Sequence, residues 1–341
     1  MRKRPLRNVL LITIILVATV VVMEVGVRLW GYSERHILDP IYMQFDQTKE
    51  IPYVHKPNLV TARARGLAVI NTDSLGLRAN TAGLRYGPKE ENEYRIAITG
   101  DSVTFGEGIR NTKDTFAQVV EDTLNQKQTA VKVRVFNYGA SAYSVEQMAA
   151  TLQYRMFDID PDLVVMAIIP SDFDLTRTPT LVDRSGYVVD TKLAGLAPPD
   201  SAIRQALRGV RLTYVLRDVV YTWFGTRQDV VRGLAQGEWP ESYRYVQQFK
   251  STADKGGVPS LIVLLPTASA GPFDRISSKL QHDGVAFVDL SSLRSEFTRE
   301  QFMASRFDGH PSAAVHRRIG EALADYILEF QLKAAVQTKL K

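Results

Sequence analysis

A three-layer α/β/α domain with a mostly parallel sheet, preceded by a membrane-spanning helix, is what this sequence of 341 residues predicts. Three observations predict it. Strand-like apolar runs alternate with helix-like stretches from Tyr94 onward, and that alternation builds parallel sheets covered on both faces. One run, "PDLVVMAIIP" (Pro161–Pro170), is almost continuously apolar, as a strand buried on both faces should be. An uncharged segment, "VLLITIILVATVVVM" (Val9–Met23), follows a basic tip, "MRKRPLRN", the pattern of an export signal or anchor.

The chain reads as five parts. Residues 1–8 form a basic tip, 9–27 a transmembrane signal anchor, and 28–93 a stalk and N-terminal extension. Residues 94–331 form the main domain, with an insertion at 175–236, and 332–341 a C-terminal tail. The apolar segment is short of the ~20 residues typical of a spanning helix. However, "EVGVRLWGY" after Met23 lacks an A-x-A-like cleavage site, which favours an uncleaved anchor over a cleaved signal peptide. Glu24 and Arg28 then sit at the far interface with Trp30 and Tyr32 as interfacial aromatics, and the basic tip stays in the cytoplasm. This predicts a single-pass protein of a bacterial inner membrane, its main domain periplasmic or extracellular.

Within the main domain, "YRIAIT" (Tyr94–Thr99) reads as the first strand and Thr112–Gln126 as a helix. "VKVRVFN" (Val131–Asn137) is the second strand. Ser144–Ile159 is a helix capped by Ser144 with Gln147 at the capping-box position. Pro161–Pro170 is the third strand. After the insertion come a helix at 241–254, strands at Ser260–Pro266 and Val285–Leu290, and a final helix near Ser312–Phe330. Five such strands give a flavodoxin-like sheet. The insertion begins with a hairpin turning at Arg184-Ser185-Gly186 and continues as an amphipathic helix, Ser201–Phe224. Lying after a central strand, it covers the sheet edge where α/β proteins bind ligands. A lid is one reading; an oligomer contact or packing near the membrane surface is the other.

Composition excludes several functions. The net charge is +5, but Arg2, Lys3, Arg4 and Arg7 supply four of those charges, and no basic face suggests nucleic-acid binding. There is no cysteine, hence no disulfide, thiolate metal site or cysteine nucleophile. No HExxH or P-loop occurs, and Gly106-Glu107-Gly108 is too little for a dinucleotide fingerprint. Neither metal nor cofactor is expected.

The chemistry is sought in "ITGDSVTFGEG" (Ile98–Gly108). Ser102 stands at the carboxyl end of the first strand, where backbone N–H groups favour a developing oxyanion. A serine nucleophile needs a base. Of the five histidines, His310 lies two residues after Asp308, just before the last helix. A carboxylate there fixes the imidazole tautomer and leaves Nε2 to take the serine proton. His316 reads as a helix-surface residue. His36 and His55 lie in the stalk region and His282 in a loop, without identifiable partners.

"GDSVTFGEG", "NYGASAYS", "IIPSDFD" and "FDGHPSAAVHRRIGEAL" resemble, in order and spacing, the blocks of the SGNH (GDSL-type) hydrolases, over roughly Asn71 to Phe330. The chain looks like a membrane-anchored bacterial member of that superfamily. The resemblance implies Ser102 as nucleophile and oxyanion donor, Gly139 N–H as second donor, His310 as base and Asp308 as its orienting carboxylate. The Asp-x-His spacing resembles that of polysaccharide O-acetylation proteins. The third block departs: Ser171 stands where the family has an oxyanion-hole asparagine, followed by Asp172; Asp172 and Asp174 are read as binders of a substrate hydroxyl or as turn caps. The expected function is a serine-dependent esterase on acyl, chiefly acetyl, esters of the cell envelope, polysaccharide included. An O-acetyltransferase with the same site and a non-catalytic envelope glycan-binding or assembly protein are the alternatives. The expected partners are an acyl-ester or glycan substrate, the membrane and envelope polysaccharide machinery, with no nucleic acid.

Overall fold

The computed structural model describes residues 3–31, 39–64, 68–128, 130–179, 181–189, 202–207, 209–224, 229–269 and 271–332. Arg2, Tyr32, His36, Ser201 and residues 333–341 of the expected tail lie outside them.

Five strands form one parallel sheet: β1 (Glu93–Gly100), β2 (Lys132–Asn137), β3 (Leu163–Ile168), β4 (Ser260–Leu264) and β5 (Phe287–Asp289), ordered β5-β4-β3-β1-β2. The fold class is therefore α/β, with the flavodoxin-like strand order. Every residue of β1 and β3 is buried. Alternation decides the two faces: Val164, Met166 and Ile168 enter one core, and Leu163, Val165 and Ala167 the other. Helices α3 (Phe116–Lys127) and α7 (Ala313–Ile327) cover the second face through Phe116, Val120, Leu124, Val315, Ile319 and Leu323. Helices α4 (Val145–Tyr154), α5 (Tyr243–Lys255) and α6 (Phe273–His282) cover the first through Met148, Leu152, Val246, Phe249, Ile276 and Leu280.

Ser144 and Gln147 form the expected capping box of α4. Thr112–Asp114 is a separate 3₁₀ turn ahead of α3, because Thr115, extended at ψ 147°, caps the helix proper. The hairpin Leu181–Val182/Val188–Val189 turns at Gly186, whose φ of 102° suits glycine. The amphipathic stretch of the insertion is two helices, Ala202–Leu207 and Leu212–Phe224, divided around Gly209.

The segment before β1 packs on the sheet: Ile41, Tyr42, Ile51, Tyr53, Ile70 and Leu77 are buried in the first core. Arg78, buried, donates to the carbonyls of Phe105 (3.2 Å), Gly106 (2.6 Å) and Ile109 (2.6 Å), tying the extension to the loop after β1. The helix α1 (Lys3–Trp30) contains a window of mean hydropathy 2.7 with no buried residue, long and apolar enough to cross a membrane. Its end rests on the domain. The Glu24 carboxylate accepts from the N–H groups of Arg211 (2.9 Å) and Leu212 (2.8 Å), and Arg28 donates to the Gly209 carbonyl (2.7 Å). Trp30 meets Phe307 edge-on at 5.1 Å, and Arg306 donates to the Trp30 carbonyl at 2.6 Å.

Three histidines are placed otherwise than expected; His282 ends α6 with its Nδ1 2.9 Å from Asp283 Oδ1. His316 is fully buried, its Nδ1 accepting from the Phe116 N–H at 3.1 Å. It shares the inward stripe of α7 with Ile319 and Leu323. His55 is buried and stacks on Phe105 at 4.2 Å. Burial holds both imidazoles down to about 3. Below pH 6.5 the unfolded chain therefore binds protons that the folded chain refuses, and stability falls toward pH 3. Each of these two buried histidines contributes a loss of about 1.2 kcal/mol between pH 6 and 5. Denaturant unfolding at these two pH values should show it, and His316→Asn should remove about half of this histidine slope.

Candidate active site

The site lies where β1 and β3 end. The last residue of β1 is glycine because a Cβ at position 100 would lie 2.0 Å from Thr104 Oγ1 and 2.7 Å from the Ala167 carbonyl oxygen. Asp101 then caps the single turn α2 (Ser102–Phe105), accepting from the Val103 N–H at 2.8 Å. This places Ser102 at the first helical position, where a backbone N–H has no intrahelical acceptor. A hairpin, Met303–Ser305 with Asp308–Pro311, delivers the other side of the site.

Ser102 Oγ lies 2.8 Å from His310 Nε2, and His310 Nδ1 lies 2.5 Å from Asp308 Oδ1. Asp308 Oδ1 also accepts from the His310 backbone N–H at 3.2 Å. Ser102 and Asp308 are buried, while His310 keeps 17 % of its side chain exposed. The structure thus joins three sequence-predicted residues across 208 positions. With Nδ1–H held by the carboxylate, Nε2 is left to accept from the serine hydroxyl.

The other predicted residues serve different contacts. The Gly139 N–H donates to Asn137 Oδ1 at 2.9 Å, so in this arrangement it is engaged away from Ser102. Glycine is needed there for packing: a Cβ would lie 2.4 Å from the Phe105 nitrogen. Ser171 Oγ accepts from Arg177 Nη1 at 3.1 Å. Asp172 is fully buried and caps the turn that follows β3. Its carboxylate accepts from the Ile169 N–H at 2.8 Å and pairs with Arg177.

Arg177 was not singled out in the sequence because it follows the start of the insertion. The available signal was the pair of acids at two adjacent strand ends, which need a shared cation once buried. Its Nη2 reaches Asp101 Oδ2 at 3.1 Å, and that same oxygen lies 3.4 Å from Ser102 Oγ. Burial, and then the Asp101 carboxylate, push the Asp172 carboxyl well above its ordinary range. Burial works against the Arg177 charge, but the Asp172 and Asp101 carboxylates outweigh it and hold the guanidinium protonated. Glu107 was set aside with the Gly-Glu-Gly triplet. It is buried, accepts from Ser141 Oγ, and places Oε2 3.6 Å from His310 Nε2.

No family model matches the chain, and no curated protein matches it. Among solved structures it is similar to a putative lipolytic protein of the G-D-S-L family from Desulfitobacterium hafniense DCB-2, at 14% identity over 68% of this chain and 98% of that one, TM-score 0.40. It is similar to a Clostridium thermocellum family 3 carbohydrate esterase, at 15% identity over 72% and 99%, TM-score 0.42. It is also similar to a lipase/acylhydrolase from Enterococcus faecalis, at 12% identity over 69% and 95%, TM-score 0.39.

Replacing Arg177 by methionine strands two buried carboxylates. The expected cost is about 3–5 kcal/mol, read by denaturant unfolding. Adding Asp172→Asn to that variant should recover part of it.

Proposed function

We propose that the chain is a serine-dependent esterase acting on acyl esters, acetyl esters of envelope polysaccharide among them. The observation that carries this reading is the pair of contacts at His310: 2.8 Å to Ser102 Oγ and 2.5 Å to Asp308 Oδ1. Ser102 Oγ attacks the ester carbonyl carbon while His310 Nε2 takes its proton. The Ser102 N–H receives the carbonyl oxygen as it gains charge. Gly139 N–H joins it once its bond to the Asn137 carboxamide opens, and the Ser171 hydroxyl, which accepts from Arg177, keeps its hydrogen to donate as a third. Collapse of the tetrahedral intermediate expels the alcohol, which receives the proton from His310. Water, activated by the same imidazole, then releases the acid and regenerates Ser102. A sugar hydroxyl in place of water gives an O-acetyltransferase. Asp308 stabilises the imidazolium at both proton transfers.

The helix α1 serves as the anchor in this reading. A basic tip kept in the cytoplasm puts the domain in the periplasm or outside the cell.

A fluorophosphonate probe should label the wild type and not Ser102→Ala. Asp308→Asn should lower kcat by about 10⁴-fold while leaving the fold intact. A folded wild type that neither labels nor hydrolyses an aryl acetate would favour the glycan-binding or assembly alternative. Acetate release without transfer to glycan acceptors would argue for hydrolysis.

A further inference from the structure

The Gly-Glu-Gly triplet after the nucleophile turn is built to aim a carboxylate at His310. Gly106 and Gly108 have φ of 84° and 79°, a region that side chains other than glycine rarely adopt. Space demands glycine as well. A Cβ on Gly106 would lie 2.6 Å from Thr115 Cγ2, and one on Gly108 2.7 Å from Ala304 Cβ and 3.2 Å from Asp308 Oδ2. The turn is therefore packed directly on the Asp308 carboxylate. Between the two glycines, the Glu107 side chain is 1% exposed, with Oε2 3.6 Å from His310 Nε2. Ser141 Oγ donates to its Oε1, and Ser141 is held in turn through its carbonyl by the Tyr53 hydroxyl.

We propose that Glu107 is a positioning residue of this site, a second carboxylate that stabilises protonated His310 from its Nε2 side and so strengthens it as a base. The proposal rests on the esterase reading above. Asp308 acts on Nδ1, and Glu107 acts where the serine proton arrives. An anion at this distance favours the charged imidazole. Other ionisable groups lie near His310 among the described residues. His316 from α7 is neutral, held near 3 by burial. Arg78, bonded to the Gly106 carbonyl, lies behind Glu107 and feels its charge. Asp101 lies beside Ser102 with its charge matched by Arg177.

The test is the pH dependence of kcat/KM for an aryl acetate, measured on the full chain with Glu107→Gln. The neutral isostere should move the acidic limb to lower pH by about one unit or more. It should also lower the alkaline plateau, because the imidazole is a weaker base. Ser141→Ala keeps the carboxylate but removes its hydroxyl donor, and should move the limb to higher pH. An acidic limb that stays in place in a folded Glu107→Gln overturns the proposal and leaves Glu107 a support for the turn. If Glu107→Gln does not fold, a Ser141→Ala limb unmoved or displaced downward overturns it instead. A wild type without labelling or hydrolysis would bring down the esterase reading itself, an outcome distinct from either.

Discussion

The site depends on backbones approaching one another more closely than side chains would permit. A Cβ on Gly100 would strike Thr104, one on Gly139 would strike the Phe105 nitrogen, and one on Gly108 would strike Ala304. These contacts bring the end of β1, the loop after β2 and the hairpin of residues 303–311 onto the same single turn of helix. Ser102 and His310 come from distant parts of the chain, so their 2.8 Å separation inherits its precision from that close packing. A parallel sheet supplies the frame, because its strand ends all face one edge and its loops converge there.

Convergence has an electrostatic cost. Asp101, Asp172, Glu107 and Asp308 are all buried around Ser102. Buried carboxylates demand donors or cations, and each of these has them within the described residues. Arg177 serves Asp101 and Asp172 together. His310 serves Asp308, and Ser141 serves Glu107. Arg177 also occupies Asp101 Oδ2, the oxygen nearest the serine hydroxyl, which weakens that oxygen as a rival to His310 for the serine proton. The charge arrangement thus keeps the hydroxyl directed at the imidazole.

The sequence made the sheet legible because β1 and β3 are apolar on both faces and the flanking helices carry clear periodicity. Ser102, Asp308 and His310 were legible because a Gly-Asp-Ser strand end and an Asp-x-His pair each have few chemical uses together. Gly139 was singled out only through the resemblance; its packing against Phe105 and its bond to Asn137 come from the loop's own geometry. Arg177 and Glu107 were missed because their roles arise from neighbours distant in sequence. His316 could have been placed: with Ile319, Gly320 and Leu323 it follows the i, i+3, i+4, i+7 stripe of a buried helix face. The break near Gly209 was also signalled, by a glycine within an otherwise helical run.

The resting place of α1 has a practical consequence. Trp30 touches Phe307, the residue directly before Asp308, and Arg306 grips the Trp30 carbonyl. A fragment cut after the helix would lose this brace beside Asp308 and His310. Its hairpin of residues 303–311 would be supported differently from that of the full chain.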